Sequence, residues 1–93
     1  MSLLIKRLES NALRELSILL TRESRNQYLK EATITEVRIT NDLSYMTIFY
    51  TSYVSKDKGA VKDALEESKT YLRHELAKRL NARKMPELIF KYD

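Results

Sequence analysis

Residues 32–54 read ATITEVRITNDLSYMTIFYTSYV and contain two runs rich in β-branched and aromatic side chains. The pair Asn41-Asp42 separates the runs, and these residue types favour tight turns. Two such runs around a short polar turn predict an antiparallel hairpin. Side chains alternate between the two faces of a strand. In the second run, one face then carries Tyr45, Thr47, Phe49, Thr51 and Tyr53. The opposite face carries Met46, Ile48, Tyr50 and Val54.

The segment before the hairpin, residues 3–23, predicts an amphipathic helix. Apolar side chains recur on one side of it with a period of about 3.6 residues. They are Leu4, Leu8, Ala12, Leu16, Leu19 and Leu20. The opposite side carries Lys6, Arg7 and Arg14. Residues 24–31 lose this period, and we expect them to form a polar connector.

The segment after the hairpin predicts a turn at residues 55–59, two helices and a final strand. Ser68 and Thr70 are weak helix formers, so a break is expected near Lys69. The second of these helices carries an apolar stripe at i, i+4 and i+8: Leu72, Leu76 and Leu80. Proline disfavours helical geometry in the residue before it, so Pro86 ends the helical region. The alternating residues that follow predict a strand: Leu88, Phe90 and Tyr92.

These elements together predict an α+β domain in the order α-β-β-α-α-β, spanning residues 1–93. Three strands can bury one sheet face under the helices and leave the other face open to water. We expect the last strand to return beside the first strand through a right-handed crossover. Glu75 precedes Arg79 by four residues, which predicts an ion pair along the helix.

The composition excludes several classes of protein. The chain has no cysteine, one glycine and one proline among 93 residues. It therefore has neither a disulfide framework nor a thiolate zinc site, and it lacks a glycine-rich phosphate loop. No apolar run exceeds three residues, which excludes a membrane span and a secretory signal sequence. We expect a cytoplasmic monomer that does not bind membranes.

The positive charge is concentrated in one segment. The whole chain carries a net charge of +4. Residues 69–84 alone hold six cationic side chains and one carboxylate, a net charge of +5. Such clustering is typical of nucleic-acid-binding proteins, although a solvated helix with excess lysine and arginine is an equal alternative.

Catalytic chemistry has little support in the sequence. His74 is the only histidine, and no serine–histidine–aspartate order accompanies it. A lone histidine on a charged helix is usually a surface residue. Glu66-Glu67 adjoins the basic segment and is better interpreted as a charge boundary than as an acid–base pair. We therefore expect a protein that is not an enzyme and needs neither metal nor cofactor.

Four segments resemble the ribosome-binding factor A family of bacterial small-subunit maturation factors. They are Leu19-Leu20-Thr21-Arg22-Glu23, Asp42-Leu43-Ser44-Tyr45, Tyr71-Leu72-Arg73, and Leu80-Asn81-Ala82-Arg83-Lys84-Met85-Pro86-Glu87-Leu88-Ile89-Phe90. The resemblance implies a type II KH-like fold, in the order already predicted from the residues. It also implies binding to immature RNA of the 30S subunit, near its 5′-terminal helix and decoding region, with a GTPase aiding release.

The chain departs from the family pattern in three places. Asn26-Gln27-Tyr28 stands where members usually have Asp-Pro-Arg, and Ser68-Lys69-Thr70 stands where they have Ala-x-Gly. The missing glycine predicts a shallower kink between the two helices. Many members also continue beyond the position of Asp93, so the chain is either naturally minimal or trimmed.

We expect the RNA contacts to come mainly from the basic segment. Its cations are Lys69, Arg73, Lys78, Arg79, Arg83 and Lys84. Arg22, Arg25 and Lys30 add to them if the first loop lies on the same side. Pro86, Leu88 and Phe90 are expected to be structural. Replacing Arg73 or Lys78 by alanine should weaken binding and leave the melting temperature almost unchanged.

Two alternatives remain open at this point. Tyr45, Phe49 and Tyr53 share a strand face and could stack the bases of single-stranded RNA. Cross-strand packing is the more ordinary role for such aromatics, because only Arg38 and Lys91 supply positive charge on the strands. The second alternative is a protein-interaction module whose basic helix docks an acidic partner and whose open sheet adds a strand.

Overall fold

The computed structural model describes residues 3–53 and 57–93. The elements are α1 (Leu3–Ile18), a π-helical turn (Leu19–Glu23), α2 (Gln27–Glu31), β1 (Ala32–Ile39), β2 (Tyr45–Ser52), α3 (Lys58–Glu67), α4 (Lys69–Leu80) and β3 (Glu87–Tyr92). The predicted α+β class is confirmed, and the described residues form a sheet of three strands. In the described ranges, no helix has the length and apolar character needed to cross a membrane.

The sheet has the order β1-β2-β3, which differs from the predicted arrangement. β1 and β2 form the expected antiparallel hairpin, and β3 pairs in parallel with β2. The expectation that β3 would lie beside β1 is wrong, because the α3–α4 crossover returns to the strand from which it starts. The outer edge of β1 lies beside α1 instead, where the Ile39 amide donates to Glu9 Oε2 at 2.8 Å.

The core fills the space between one sheet face and the helices. Met46, Ile48 and Tyr50 are buried as the alternation predicts, and Phe49 on the opposite face is only partly covered. The alternation predicts Thr51 on the open face, but this residue is buried, and its hydroxyl donates to Tyr92 Oη at 3.2 Å. The predicted position of Val54 lies outside the described residues.

The apolar side of α1 is rotated slightly from the predicted stripe. Ile5 is 8% exposed and contributes to the core, whereas Leu4 is 75% exposed. Residues in a helix are about 100° apart, so Ile5 lies in line with Ala12 and Leu4 falls at the margin. Lys6, Arg7 and Arg14 are exposed as predicted.

The connector between α1 and β1 contains an unpredicted helix, α2. Asn26 is its N-cap, and its Oδ1 accepts from the Tyr28 amide at 2.8 Å. Leu29 anchors the helix in the core at 4% exposure. Five residues are too few to show a helical period, so only Asn26 could have signalled this helix.

The start of α3 also differs from the prediction. The sequence predicts a turn at Gly59, whereas this residue lies inside the first turn of α3. Asp57 is the N-cap, and its Oδ1 accepts from the Ala60 amide at 3.0 Å. The predicted turn also includes residues 55 and 56, which lie outside the described residues.

Candidate nucleic-acid interface

The joint between α3 and α4 is a single residue, Ser68, which confirms the predicted break. Ser68 has φ −92° and ψ 0°, a conformation open to any residue, so glycine is not required there. Lys69 Nζ lies 2.8 Å from Glu66 Oε2 across the joint. The C-terminus of α3, the negative end of its helix dipole, lies next to the N-terminus of α4, the positive end of its dipole. Because the two ends offset each other, we assign phosphate attraction to the side-chain cations.

The end of α4 directs the basic chain that follows it. Asn81 adopts the left-handed conformation at φ 52°, which asparagine tolerates better than most residues. The Ala82 amide then donates to the Ala77 carbonyl at 3.1 Å and closes the helix. Arg83 and Lys84 follow this cap on an exposed segment, and Lys84 Nζ donates to the Asp42 carbonyl at 3.2 Å.

The hairpin turn that receives Lys84 is held by its own side chains. Asp42 Oδ1 accepts from Thr40 Oγ1 at 2.8 Å and from the Ser44 amide at 3.0 Å. These hydrogen bonds lower the pKa of Asp42, and the one from Thr40 contributes most to this shift. They fix a turn in which Leu43 takes a positive φ of 62° while its side chain packs against the core.

A groove of about 550 Å³, which we call the α4 groove, lies between α4 and the outer edge of β3. Its lining residues are Lys69, Thr70, Arg73, His74, Ala77, Met85, Glu87 and Leu88. Two of the predicted RNA-binding cations, Lys69 and Arg73, are thus brought together beside the only histidine. Lys69 Nζ also lies 5.9 Å from the ring centroid of Phe90 at the base of α4.

Arg73 has a structural role that the sequence did not indicate. Its Nε donates to the Pro86 carbonyl at 3.0 Å, and its Nη2 donates to the Met85 carbonyl at 2.5 Å. The side chain thereby joins α4 to the segment that leads into β3. We therefore revise the expectation for Arg73→Ala, which should weaken the fold as well as any contact with RNA.

Arg79 is also occupied within the protein. Its Nη2 lies 2.6 Å from Glu23 Oε1, and its Nη1 lies 3.6 Å from Glu15 Oε1. The hydrogen bond with Glu23 is the main cause of a raised pKa of Arg79. The predicted Glu75–Arg79 pair is wrong, because Glu75 pairs with Lys78 at 3.1 Å instead.

The basic segment consequently does not form one continuous face. At about 100° per residue, Arg73 and Lys69 lie on the side of α4 near β3, and Lys78 lies on its outer side. Arg79 points to the side facing α1, where its carboxylate partners are located. Sequence clustering alone therefore overstates the charge that any one surface presents.

The three predicted cations of the first loop are exposed. Within residues 3–53 and 57–93, none of Arg22, Arg25 and Lys30 forms an ion pair. The Glu23–Arg79 contact brings the end of the π-helical turn to α4, on the side of the helix away from the α4 groove. Lys30 lies on α2, so the three cations do not line that groove.

The open sheet face gathers the aromatic and basic residues of the alternative site. Phe49 pairs in register with Lys91, and the Arg38 guanidinium lies 5.7 Å from its ring centroid. Glu36 pairs with Arg38, so this face is mixed in charge. Glu87 likewise lines the α4 groove beside Lys69 and Arg73, but Arg83 and Lys84 follow α4 and add exposed positive charge after the helix.

Comparison with known proteins identifies the family. Residues 5–93 match the family model for ribosome-binding factor A. The protein is 45% identical over 92 residues to ribosome-binding factor A of Lactobacillus acidophilus, covering 96% of this chain and 75% of the relative. It is 37% identical over 89 residues to that of Francisella philomiragia, covering 96% and 62%.

Solved structures of the family share the fold. The crystal structure of ribosome-binding factor A from Thermus thermophilus superposes with a TM-score of 0.83 at 23% identity, covering 95% of this chain and 94% of that one. A homology model of the Thermus factor, fitted into a cryo-EM map of a 30S complex, gives 0.70 at 23% identity, covering 99% and 93%. These neighbours agree with the predicted KH-like fold. The chain belongs to the ribosome-binding factor A family.

Proposed function

We propose that this protein binds the small ribosomal subunit through its RNA and assists the subunit's maturation without catalysing a reaction. The observation that carries the proposal is the match of residues 5–93 to the family, together with 45% identity to a named member. The Thermus factor, which has the same fold, was fitted into a map of a 30S complex. The α4 groove, which Lys69 and Arg73 line, supplies a surface suited to RNA.

The main contacts in this proposal are five cations on and after α4. Lys69 and Arg73 line the groove, Lys78 projects outward, and Arg83 and Lys84 follow the helix. Lys69 and Lys78 form ion pairs that are partly exposed to solvent, so these pairs contribute little and can exchange for phosphate. Arg79 is left out because two carboxylates already hold its guanidinium.

The loop-side cations Arg22, Arg25 and Lys30 make a secondary contact in this proposal. They lie beyond the Glu23–Arg79 pair, and each keeps an exposed side chain. Because they lie apart from the α4 groove, they would touch a different stretch of the same RNA. Phosphate contacts of this kind position the protein and carry no sequence information.

The mechanism that follows is a shift in RNA conformation. The protein can favour an immature arrangement, near the 5′-terminal helix and decoding region, only by binding it more tightly than the mature one. Departure then requires that difference in affinity to disappear as processing ends. A GTPase that remodels the subunit would serve as the release partner, and the protein itself would act as a monomer.

Sedimentation of tagged protein in a cell extract tests the proposal. We expect the protein to migrate with immature small subunits and to be absent from translating ribosomes. Migration with free RNA of every kind would favour the generic single-strand binder. Migration with an RNA-free protein complex would favour the interaction module, and either result would contradict the proposed function.

A further inference from the structure

The exposed side of α1 carries a basic surface that the proposed contacts at α4 do not use. We define the α1 surface by five exposed side chains: Lys6, Arg7, Ser10, Asn11 and Arg14. Their spacings of three, four, seven and eight residues place them on one side of the helix. Three are cations, and the serine and asparagine between them add hydrogen-bond donors.

The positive charge of this surface is largely unpaired. Within the described ranges, neither Lys6 nor Arg7 forms an ion pair. Arg14 Nε lies 3.5 Å from Glu15, a carboxylate that also contacts Arg79. Glu9 lies on the β1 side of the helix, where its Oε2 accepts from the Ile39 amide.

The α1 surface continues into a groove of about 700 Å³ between α1 and the outer edge of β1. Lys6, Glu9 and Ser10 line it from the helix, and Glu36 and Arg38 line it from the strand, so the groove is mixed in charge and the cations of the exposed helix side carry the argument. The strand order β1-β2-β3 places this groove and the α4 groove at opposite edges of the sheet. A single short RNA strand in the α4 groove would therefore leave the α1 surface uncovered.

We propose that the α1 surface binds the phosphate backbone of a second RNA segment, so that the protein holds two parts of the maturing RNA together. Naming that RNA as ribosomal rests on the proposed function above. The centre of the surface is Ser10 and Asn11, which is polar where a protein–protein interface is usually apolar. Cations and neutral donors without an aromatic platform suit phosphate contact without base recognition.

The test compares two doubly substituted proteins that lose the same charge. Lys6→Ala/Arg7→Ala alters the α1 surface, and Lys58→Ala/Lys62→Ala removes two exposed cations from α3. Each protein is titrated against immature small subunits and, separately, against an RNA duplex of about 16 base pairs at several salt concentrations. Thermal melts of both variants check that the fold is retained.

We expect the substitution at positions 6 and 7 to weaken binding to both probes, while the control matches the unaltered protein. Losing two phosphate contacts makes the slope of log affinity against log salt shallower by roughly 1.4 to 1.8. Over a fourfold rise in salt, the unaltered protein then loses roughly 7- to 12-fold more affinity than the variant does.

Three results separate the two proposals. If the protein does not bind subunits but binds the duplex through positions 6 and 7, the proposed function fails and the α1 inference stands. If both variants bind both probes with the salt slope of the unaltered protein, the α1 inference is overturned and the proposed function stands. Weaker subunit binding with unchanged duplex binding would assign the surface to a ribosomal protein and would also overturn it.

Discussion

At the scale of single residues, cations that look equivalent in the sequence have different roles. Arg73 holds two backbone carbonyls, Arg79 bridges two carboxylates, and Arg83 forms no ion pair among the described residues. The planar guanidinium suits such bidentate contacts, so both structural positions favour arginine over lysine. Only the cations outside these contacts are available to RNA without cost to the fold.

Arg79→Ala tests this distinction directly. We expect a lower melting temperature, because Glu15 and Glu23 lose the partner that ties α1 and the π-helical turn to α4. The salt dependence of RNA binding should stay as it was. Lys78→Ala is the matched control, since it should leave the melting temperature alone and make the salt slope shallower by about one. The opposite pattern in the two variants would show that their roles are exchanged.

At the scale of elements, α4 stabilises the domain through a narrow stripe. Leu72 and Leu76 are 1% and 0% exposed, and Leu80 is partly buried against the same core. Leu76→Ala should lower the free energy of unfolding by about 2–4 kcal/mol through the cavity that it leaves. Tyr71→Ala, at an exposed position of the same helix, is the control. Denaturant melts in which the two variants lose similar stability would contradict the assignment of Leu76 to the buried side of α4.

The hairpin turn should give the stability a specific dependence on pH. Hydrogen bonds from Thr40 and Ser44 lower the pKa of Asp42, so its carboxylate stabilises the fold above its unfolded pKa of about 3.9. This contribution is lost as the pH falls through the lower folded pKa. We therefore expect Asp42→Ala to melt below the unaltered protein at about pH 7, with a gap that closes below about pH 4. A gap that is constant with pH, or one matched by Asp63→Ala, would contradict the role of the turn.

The elements also show how far the sequence predicts the structure. Local signals predict α1, the hairpin, the break at Ser68 and β3, because apolar periodicity, residue propensity and turn residues each act within a few neighbouring positions. They do not determine the place of β3 beside β2, which depends on how a two-helix crossover packs. The Glu23–Arg79 pair joins residues 56 positions apart, and no local pattern distinguishes it from Glu75–Arg79. The candidate site was thus predicted by residue type, whereas the division of its cations required the fold.

At the scale of the whole molecule, the charge is divided between surfaces at opposite edges of one small sheet. On and after α4, Lys69, Lys78, Arg83 and Lys84 are available to RNA, and the α1 surface holds three more cations. A domain with a radius of gyration of 12.6 Å can therefore touch RNA on both sides. Such an arrangement suits a protein that stabilises one RNA conformation over another.

The most direct test of the central claim is the affinity for immature small subunits as a function of salt. The unaltered protein is compared with Lys69→Ala/Arg83→Ala and with the charge-matched control Lys58→Ala/Lys62→Ala. We predict that the first variant binds more weakly, with a slope shallower by roughly 1.4 to 1.8, and that the control does not differ from the unaltered protein. Equal slopes for all three proteins would show that the basic residues on and after α4 do not bind the subunit's RNA.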